Sequence, residues 1–114
     1  MFGWWTPLSW NSQGSYVADV SARTLLWTLT NPAGLPAKYN IKPSSTSYAI
    51  YDYSSYGPSI GSGHDIYVAD KSNANDNSYT NFPTSFEDTT GRGQNTFTGS
   101  YNFRTSEIEV FVPA

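Results

Sequence analysis

The sequence predicts a mainly β protein, an antiparallel β-sandwich with little helix. Short segments alternate apolar and polar residues with a period of two, which is the pattern of half-buried strands. Clusters of Gly, Pro, Asn and Asp separate these segments and favour turns. Helical periodicity is weak throughout, with at most one turn near residues 19–23. Short, regularly spaced strands are typical of two stacked antiparallel sheets.

The first strand pair is predicted from residues 24–30 and from the segment that follows Pro36. Leu and Trp alternate with Thr in the first segment, and the Asn-Pro-Ala-Gly run at 31–34 supplies a turn. Tyr39 and Ile41 then alternate with polar residues, so the chain returns as a second strand. The two segments together predict a hairpin.

The middle of the chain predicts a central strand followed by shorter ones. Residues 47–53 carry bulky side chains at both odd and even positions, which favours a strand covered on both sides. Residues 66–69 are expected to form a strand, residues 71–77 a polar turn, and residues 80–82 a brief pairing. Residues 83–95, which hold an acidic pair and two glycines, are expected to form a surface loop.

The closing run 107–112 predicts a half-buried final strand. Ile108, Val110 and Val112 fall on one face, and Glu107 and Glu109 fall on the other. Two carboxylates on one strand face are a conceivable acid and base pair. They fit better as part of a recognition surface, because exposed charges select partners.

Length and composition indicate one globular domain over residues 1–114. Aromatic residues reach 17% and charged residues only 13%, with nine Tyr, six Phe and four Trp. Disordered chains have few aromatics and a high net charge, whereas this net charge is −3. Such a composition predicts a core built around Tyr, Trp and Phe rather than around Leu and Ile.

Several classes of function are disfavoured by the charge pattern and by missing residue types. The six basic residues are scattered, so nucleic-acid binding is not expected. No apolar run reaches membrane-spanning length, and no signal peptide is visible. The absence of Cys excludes disulfides and thiol chemistry. Since no Asn begins a glycosylation acceptor either, a cytoplasmic location is expected.

The loop 61–65 is the main candidate site, because it holds the sole His beside an acid. Gly61 and Gly63 allow positive φ, and His64 precedes Asp65 directly. A Ser-His-Asp hydrolase would also need a nucleophile on a strained turn, and Ser62, in Gly61-Ser62-Gly63, does not fit the Gly-x-Ser-x-Gly spacing. The favoured interpretation is structural: Asp65 accepts backbone N–H bonds and holds the loop. No catalytic residue and no cofactor are predicted.

The polar run at 70–77 raises the question of calcium, which prefers oxygen ligands from closely spaced Asp and Asn. Asp70 and Asp76 are the candidate ligands. Ala74 occupies the third ligand position of an EF-hand spacing, and no Gly or terminal Glu follows at the required distance. Asn and Asp are common in turns, so turn formation is the favoured explanation and no metal site is predicted.

Aromatic residues in two regions suggest a stacking platform for sugars. The candidates are Trp4, Trp5, Trp10, Tyr51, Tyr53 and Tyr56. The alternative is that these rings fill a core short of aliphatic side chains, and this alternative is favoured.

Seven short elements, spread over nearly the whole chain, form a pattern together. They are residues 2–5 (Phe-Gly-Trp-Trp), 9–10 (Ser-Trp), 26–31 (Leu-Trp-Thr-Leu-Thr-Asn), 48–51 (Tyr-Ala-Ile-Tyr), 56–58 (Tyr-Gly-Pro), 61–68 (Gly-Ser-Gly-His-Asp-Ile-Tyr-Val) and 99–111. In this order the chain resembles TLDc domains, the β-sandwich modules of oxidation-resistance proteins. The N-terminal helix and strand of complete TLDc domains have no counterpart here, so an incomplete sandwich with an open sheet edge is expected.

The resemblance implies a non-enzymatic protein-interaction module. Animal members of the family act in protection from oxidative stress and associate with the vacuolar proton-pumping ATPase. The polar loops 57–65 and 83–95 are the expected contact surface, and the open edge is expected to support self-association. The alternative is a self-assembling structural or glycan-binding sandwich. The residues expected to bind are Gly61, Gly63, His64, Asp65, Glu87, Asp88 and Arg92.

Overall fold

The computed structural model describes residues 1–10, 14–29 and 36–111, and these form two antiparallel sheets. The strands are β1 (Phe2–Trp5), β2 (Ser15–Val17), β3 (Leu25–Thr28), β4 (Ala37–Asn40), β5 (Ile50–Asp52), β6 (Ser59–Ile60), β7 (Ile66–Tyr67), β8 (Ser78–Tyr79) and β9 (Asn102–Phe103). One sheet has the order β1-β3-β4, and the other has the order β2-β5-β6-β7-β8-β9. Two 3-10 helices, Pro43–Tyr48 and Gly93–Asn95, complete the described elements. The predicted mainly β fold with little helix is confirmed.

The hairpin predicted around residues 24–41 is present. Strand β3 pairs with β4 so that Leu26 lies opposite Tyr39, and both side chains are fully buried. On the other face Trp27 lies opposite Lys38. This is the alternation of burial that the period-two pattern encodes. The predicted turn at 31–34 lies outside the described residues.

The central strand is also confirmed, although it is shorter than predicted. Strand β5 lies between β2 and β6, and Ile50 is fully buried opposite Ile60. The chain before it forms the 3-10 helix Pro43–Tyr48 instead of a strand. Proline at the start of that helix fixes φ near the helical value, which favours the helical turn over extended backbone.

The core lies between the two sheets, and its composition differs from the prediction. It is built from Leu26, Tyr39, Ile41, Ala49, Ile50, Ile60, Ile66, Val68, Phe82, Phe86, Phe97 and Phe103. Aliphatic residues and Phe dominate, Tyr39 is the sole Tyr, and no Trp belongs to this cluster. The expectation of a core built around Tyr and Trp was wrong, because their polar tips favour sites that reach water.

The predicted surface loop 83–95 and the predicted pairing at 80–82 need correction. The strand lies two residues earlier, at Ser78–Tyr79. Ser85 and Phe86 are fully buried, and Phe86 bridges to Ile41 beside β4. Phe86 belongs to the core because its ring fills space next to the hairpin. The other residues of 83–95 are exposed or half-buried.

The final strand predicted at 107–112 is absent from the described part of the chain. Residues 107–111 join no sheet, and Ile108, Val110 and Phe111 are 46%, 80% and 81% exposed. The alternating pattern supplies strand propensity, but a strand also requires a neighbour with free backbone groups. In the described residues, no strand pairs with this segment.

The turn predicted near residues 19–23 is organised by the buried carboxylate of Asp19. Its oxygens accept hydrogen bonds from the backbone N–H groups of Ser21 (3.1 Å), Arg23 (3.0 Å) and Thr24 (2.7 Å). The hydroxyls of Ser21 and Thr24 also donate to it. Burial alone would raise the pKa of Asp19, but the bonds from Ser21, Thr24 and Arg23 outweigh it and lower the pKa to about 2.

This shift predicts a pH-dependent effect of Asp19→Asn. The folded-state pKa lies below the unfolded value of about 3.9, so the carboxylate stabilises the fold above about pH 4, and this contribution is lost as the pH falls toward 2. We expect Asp19→Asn to lower the free energy of unfolding by about 1–2 kcal/mol at pH 6 and by less near pH 2. Urea titrations across this range measure the gap. A gap that stays constant with pH would contradict the prediction, and Asp70→Asn, at an exposed position, is the control.

Candidate functional site: a tyrosine surface around His64

Four strands of the six-stranded sheet each place one tyrosine on the sheet's outer face. Tyr16, Tyr51, Tyr67 and Tyr79 lie on β2, β5, β7 and β8, next to residues that point into the core. The register sets Tyr16 opposite Tyr51 and Tyr67 opposite Tyr79. The ring centroids in these pairs are 4.8 and 4.9 Å apart. The spacing between neighbouring strands therefore makes the tyrosines a continuous row.

Strand β6 interrupts the row with a small residue. Ser59 lies between Tyr51 and Tyr67 in the register, and it is fully buried. Two rings occupy the space above it. The His64 centroid lies 5.2 Å from Tyr51 and 5.7 Å from Tyr67, and the Tyr56 centroid lies 5.5 and 5.2 Å from the same two rings. The small side chain of Ser59 thus leaves space for His64 and Tyr56, which make the row of rings continuous.

The loop 61–65 carries His64 onto this face through left-handed backbone. Gly61 and Gly63 have φ values of 87° and 67°, and His64 itself has φ 61°. Positive φ is uncommon for a residue with a Cβ, so hydrogen bonds must hold the loop in place. Asn81 supplies two of them, from its side chain to the Gly63 carbonyl (2.5 Å) and from its N–H to the His64 carbonyl (3.1 Å). The Tyr16 hydroxyl accepts a third from the Gly63 N–H.

The surface is electrically neutral near pH 7. Burial lowers the pKa of His64, and its Nδ1 atom is buried without a hydrogen-bond partner. Burial, together with neighbouring phenols, raises the pKa of Tyr51 and of Tyr79. Both effects favour the uncharged rings. A ligand therefore meets aromatic edges and hydroxyl groups here rather than charge.

Further tyrosines extend the row at both ends. Tyr53 stacks on Tyr51 with planes 10° apart, and Tyr101 stacks on Tyr79 with planes 12° apart. Tyr48 meets Tyr16 edge to face. We call the following set the tyrosine surface: Tyr16, Tyr48, Tyr51, Tyr53, Tyr56, His64, Tyr67, Tyr79 and Tyr101. It contains eight of the nine tyrosines, and four of them, Tyr48, Tyr53, Tyr56 and Tyr101, are 40–43% exposed.

Asp65 points away from the tyrosine surface into the core and holds two loops together. Its fully buried carboxylate accepts hydrogen bonds from the N–H groups of Thr84 (2.9 Å), Ser85 (2.9 Å) and Phe86 (3.3 Å). Burial raises its pKa to about 6, although the bonds from Ser85, Phe86 and Thr84 oppose that shift. The predicted acceptor role of Asp65 is confirmed, and the donors come from a second loop. Gly61 must lack a side chain, because a Cβ there would lie 2.2 Å from Oδ1 of Asp65.

A Ser-His-Asp relay is not assembled at this loop. The Asp65 carboxylate is bonded to backbone N–H groups, while the His64 ring lies among tyrosines with Nδ1 unpaired. The backbone N–H of Ser62 donates to the Ser85 hydroxyl at 2.8 Å. The described contacts therefore connect this loop to residues 84–86 and place one imidazole on the sheet's outer face.

The other predicted binding residues lie on the loop after Phe86. The carboxylate of Asp88 accepts hydrogen bonds from the N–H groups of Thr90, Gly91 and Gly93, each at 2.9 Å. Burial opposes the effect of these bonds, yet they lower its pKa. Asp88 thus folds its own loop, while Glu87 and Arg92 are exposed beside it.

The two calcium candidates are not brought together as ligands. Asp76 forms a salt bridge with Arg104, with Nε 2.9 Å from Oδ1, and both side chains are exposed. Asp70 is exposed, and its carbonyl accepts a hydrogen bond from the Asn75 side chain. Among the described residues, no three His, Asp or Glu side chains cluster in a way that could hold a metal ion.

The proposed aromatic platform is divided by the fold. Tyr51, Tyr53 and Tyr56 meet on the tyrosine surface, whereas Trp4 and Trp5 lie on β1 in the other sheet. Sequence reasoning missed the other five tyrosines of the surface, which are Tyr16, Tyr48, Tyr67, Tyr79 and Tyr101. A signal for three of them was present, since the segments 15–17, 66–67 and 78–79 each hold one Tyr beside a residue that points inward.

The fold and this face define a β-sandwich domain that displays an aromatic, uncharged surface on one sheet. No helix in the described ranges is long and apolar enough to cross a membrane. The chain belongs to the TLDc domain family, whose family model matches residues 1–113 of its 114 residues. Comparison with curated proteins and with solved structures gave no match.

Proposed function

We propose that this chain is a non-enzymatic TLDc-type protein-interaction module that binds its partner through the tyrosine surface and the adjoining loop 57–65. The observation that carries the proposal is the gathering of eight tyrosines and one histidine on one sheet face. Tyrosine is enriched in interfaces and in their hot spots, because it buries a large rigid ring and keeps a hydroxyl for hydrogen bonding.

The neighbouring residues support protein recognition. Loop 57–65 is rich in Ser and Gly, and Asn81 and Asn102 lie close to the row. A mixture of Tyr with Ser, Gly and Asn is the composition of antibody binding loops, where rings supply contact area and small polar groups adapt their hydrogen bonds. Since the surface carries no charge, shape and ring contact would determine the choice of partner.

The family resemblance suggests the biological setting. As TLDc proteins of animals act in oxidative-stress protection and associate with the vacuolar proton-pumping ATPase, we propose the same partner and role for this chain. We propose a cytoplasmic location as well, since no Asn begins a glycosylation acceptor.

Purified vacuolar proton-pumping ATPase provides the test. Tyr56→Ser is expected to weaken binding about tenfold or more, because Tyr56 is an exposed ring at the centre of the row. Biolayer interferometry measures the dissociation constants. Trp10→Ser is the matched control, since Trp10 is 42% exposed against 41% for Tyr56 and has no ring contact with the row.

Each outcome has a distinct meaning in this experiment. No binding by the unmodified chain would exclude the pump as partner. Binding that Tyr56→Ser and Trp10→Ser leave equally strong would exclude the tyrosine surface as the contact site.

A glycan ligand is the second candidate, and the same rings favour it. Aromatic faces stack on sugars, and the phenol hydroxyls and Asn side chains can bond to sugar hydroxyls. A glycan array with isothermal titration calorimetry separates the two candidates. Saturable heat with a neutral glycan, lost in Tyr56→Ser and kept in Trp10→Ser, would favour the glycan.

A further inference from the structure

Segment 107–111 has the sequence of a strand, but no strand of the described ranges pairs with it. Ile108, Val110 and Phe111 are 46%, 80% and 81% exposed, so their apolar surface remains in contact with water. Ile108 borders an open groove with Pro58 and Val68, and exposure increases beyond it. β-branched and aromatic residues of this kind favour a pleated, half-buried position. The segment thus lies beside this groove at Ile108 and is largely exposed at Val110 and Phe111.

The edge strands of the two sheets differ in length and in how many of their backbone groups are already paired. Strand β4 is covered at one end, because Glu87 donates its N–H to the Asn40 carbonyl and Lys42 donates its N–H to the Ser85 carbonyl. Strand β2 has three residues and β9 has two, whereas β1 has four and pairs only with β3 in the described part of the chain. Strand β1 is therefore the longest edge available for another strand.

We propose that segment 107–111 of one copy pairs with the β1 edge of a second copy of this chain. Adding a strand to a sheet edge supplies main-chain hydrogen bonds to both partners. It also lets Ile108 and Val110, which share one face of the segment, pack against Trp4, whose ring lies against the core. Aromatic rings opposite β-branched residues stabilise a sheet. The exposed apolar side chains and the unpaired edge are thereby covered in one step.

Charge distinguishes β1 from the other possible occupant, a second 107–111 segment. Pairing of two such segments would bring Glu107 and Glu109 close to their own copies, and like charges across a pair are destabilising. Strand β1 contains no charged residue, and the Arg23 guanidinium lies 5.7 Å from the Trp5 ring. The segment's glutamates therefore meet a neutral strand with a cation at its end.

The pairing is reciprocal in a two-fold dimer. Each copy donates one segment and accepts another, so the same contact forms twice. The tyrosine surface lies on the other sheet and takes no part, which leaves it open for a different partner.

Light scattering coupled to size-exclusion chromatography tests the proposal over a series of concentrations of the full chain. The unmodified chain is expected to approach twice the monomer mass at high concentration. Val110→Lys should raise the dimer dissociation constant at least tenfold, because a charge on the apolar face of the segment blocks edge pairing. Val20→Lys is the matched control, since Val20 is 94% exposed and lies outside both elements.

Amide hydrogen exchange identifies the contact. In the concentrated unmodified chain, amides of residues 2–5 should exchange more slowly than in dilute samples, and Val110→Lys should remove this difference. A chain that stays monomeric at every concentration would overturn the proposal. A dimer unaffected by Val110→Lys, or one that protects the tyrosine surface instead of residues 2–5, would overturn it as well. Since Val110 is largely exposed in the single chain, an unchanged circular dichroism spectrum is expected for the variant.

Discussion

Asp65→Ala is expected to lower the free energy of unfolding by about 4 kcal/mol at pH 7.5. The buried carboxylate accepts hydrogen bonds from three backbone N–H groups, those of Thr84, Ser85 and Phe86. Leaving a buried donor without a partner costs about 1–3 kcal/mol each, and the three losses overlap in one loop. For a domain of ordinary stability this is a large fraction of the total. Guanidinium titration followed by tyrosine and tryptophan fluorescence measures the change.

The control for Asp65→Ala is the same substitution at Asp70, which is exposed five residues along the chain. Asp70→Ala should change the free energy of unfolding by less than about 0.5 kcal/mol. If Asp65→Ala cost no more than Asp70→Ala, the three donors would have found other partners and the joint between the loops would be dispensable.

Phe97→Ala is expected to destabilise the fold by about 3–5 kcal/mol, through lost burial and the cavity left behind. Phe97 is 4% exposed, and its ring lies 5.2 Å from Phe2, 5.8 Å from Tyr39 and 5.1 Å from Phe82. Phe2 and Tyr39 lie on β1 and β4 of the three-stranded sheet, and Phe82 lies in the chain after β8, so Phe97 packs that sheet against the segment that follows β8. Thermal unfolding and urea titration both report the loss.

Phe111→Ala provides the matched control for the core variant. It removes the same ring from a position that is 81% exposed, so a change below about 0.5 kcal/mol is expected in dilute samples. Equal effects of Phe97→Ala and Phe111→Ala would mean that the aromatic cluster around Phe97 does not stabilise the fold.

The elements that sequence reasoning found are those set by local pattern. The period-two alternation around Leu26 and Tyr39 encodes a hairpin whose neighbours in space are also neighbours in the chain. Asp65 was identified because an acid after a Gly-rich turn tends to accept backbone N–H bonds. The identity of its donors, 19 to 21 residues away, depends on how loops meet and is not written in the local pattern.

The tyrosine surface was missed because the pairing register of the strands brings its residues together, and the spacing of those residues along the sequence does not reveal it. Its rings come from positions between Tyr16 and Tyr101, and the pairing of strands brings them side by side. The number of tyrosines suggested an aromatic core, whereas the phenol hydroxyl favours the half-exposed outer face. The final strand was wrong for a related reason. The alternation at 107–112 gives the segment a preference for strand conformation. A strand also needs a sheet edge to pair with, and none of the described sheets pairs with this segment.

Because Ser59 is small, the centre of the aromatic face is occupied by side chains from outside the strands, and one of them is His64. His64 belongs to the loop 61–65, which Asp65 and Asn81 hold in place through their own hydrogen bonds. A different side chain at position 64 would thus alter the chemistry at the centre of the row while the sandwich beneath stays the same. A single substitution at position 64 could therefore change the preferred ligand with little loss of fold stability.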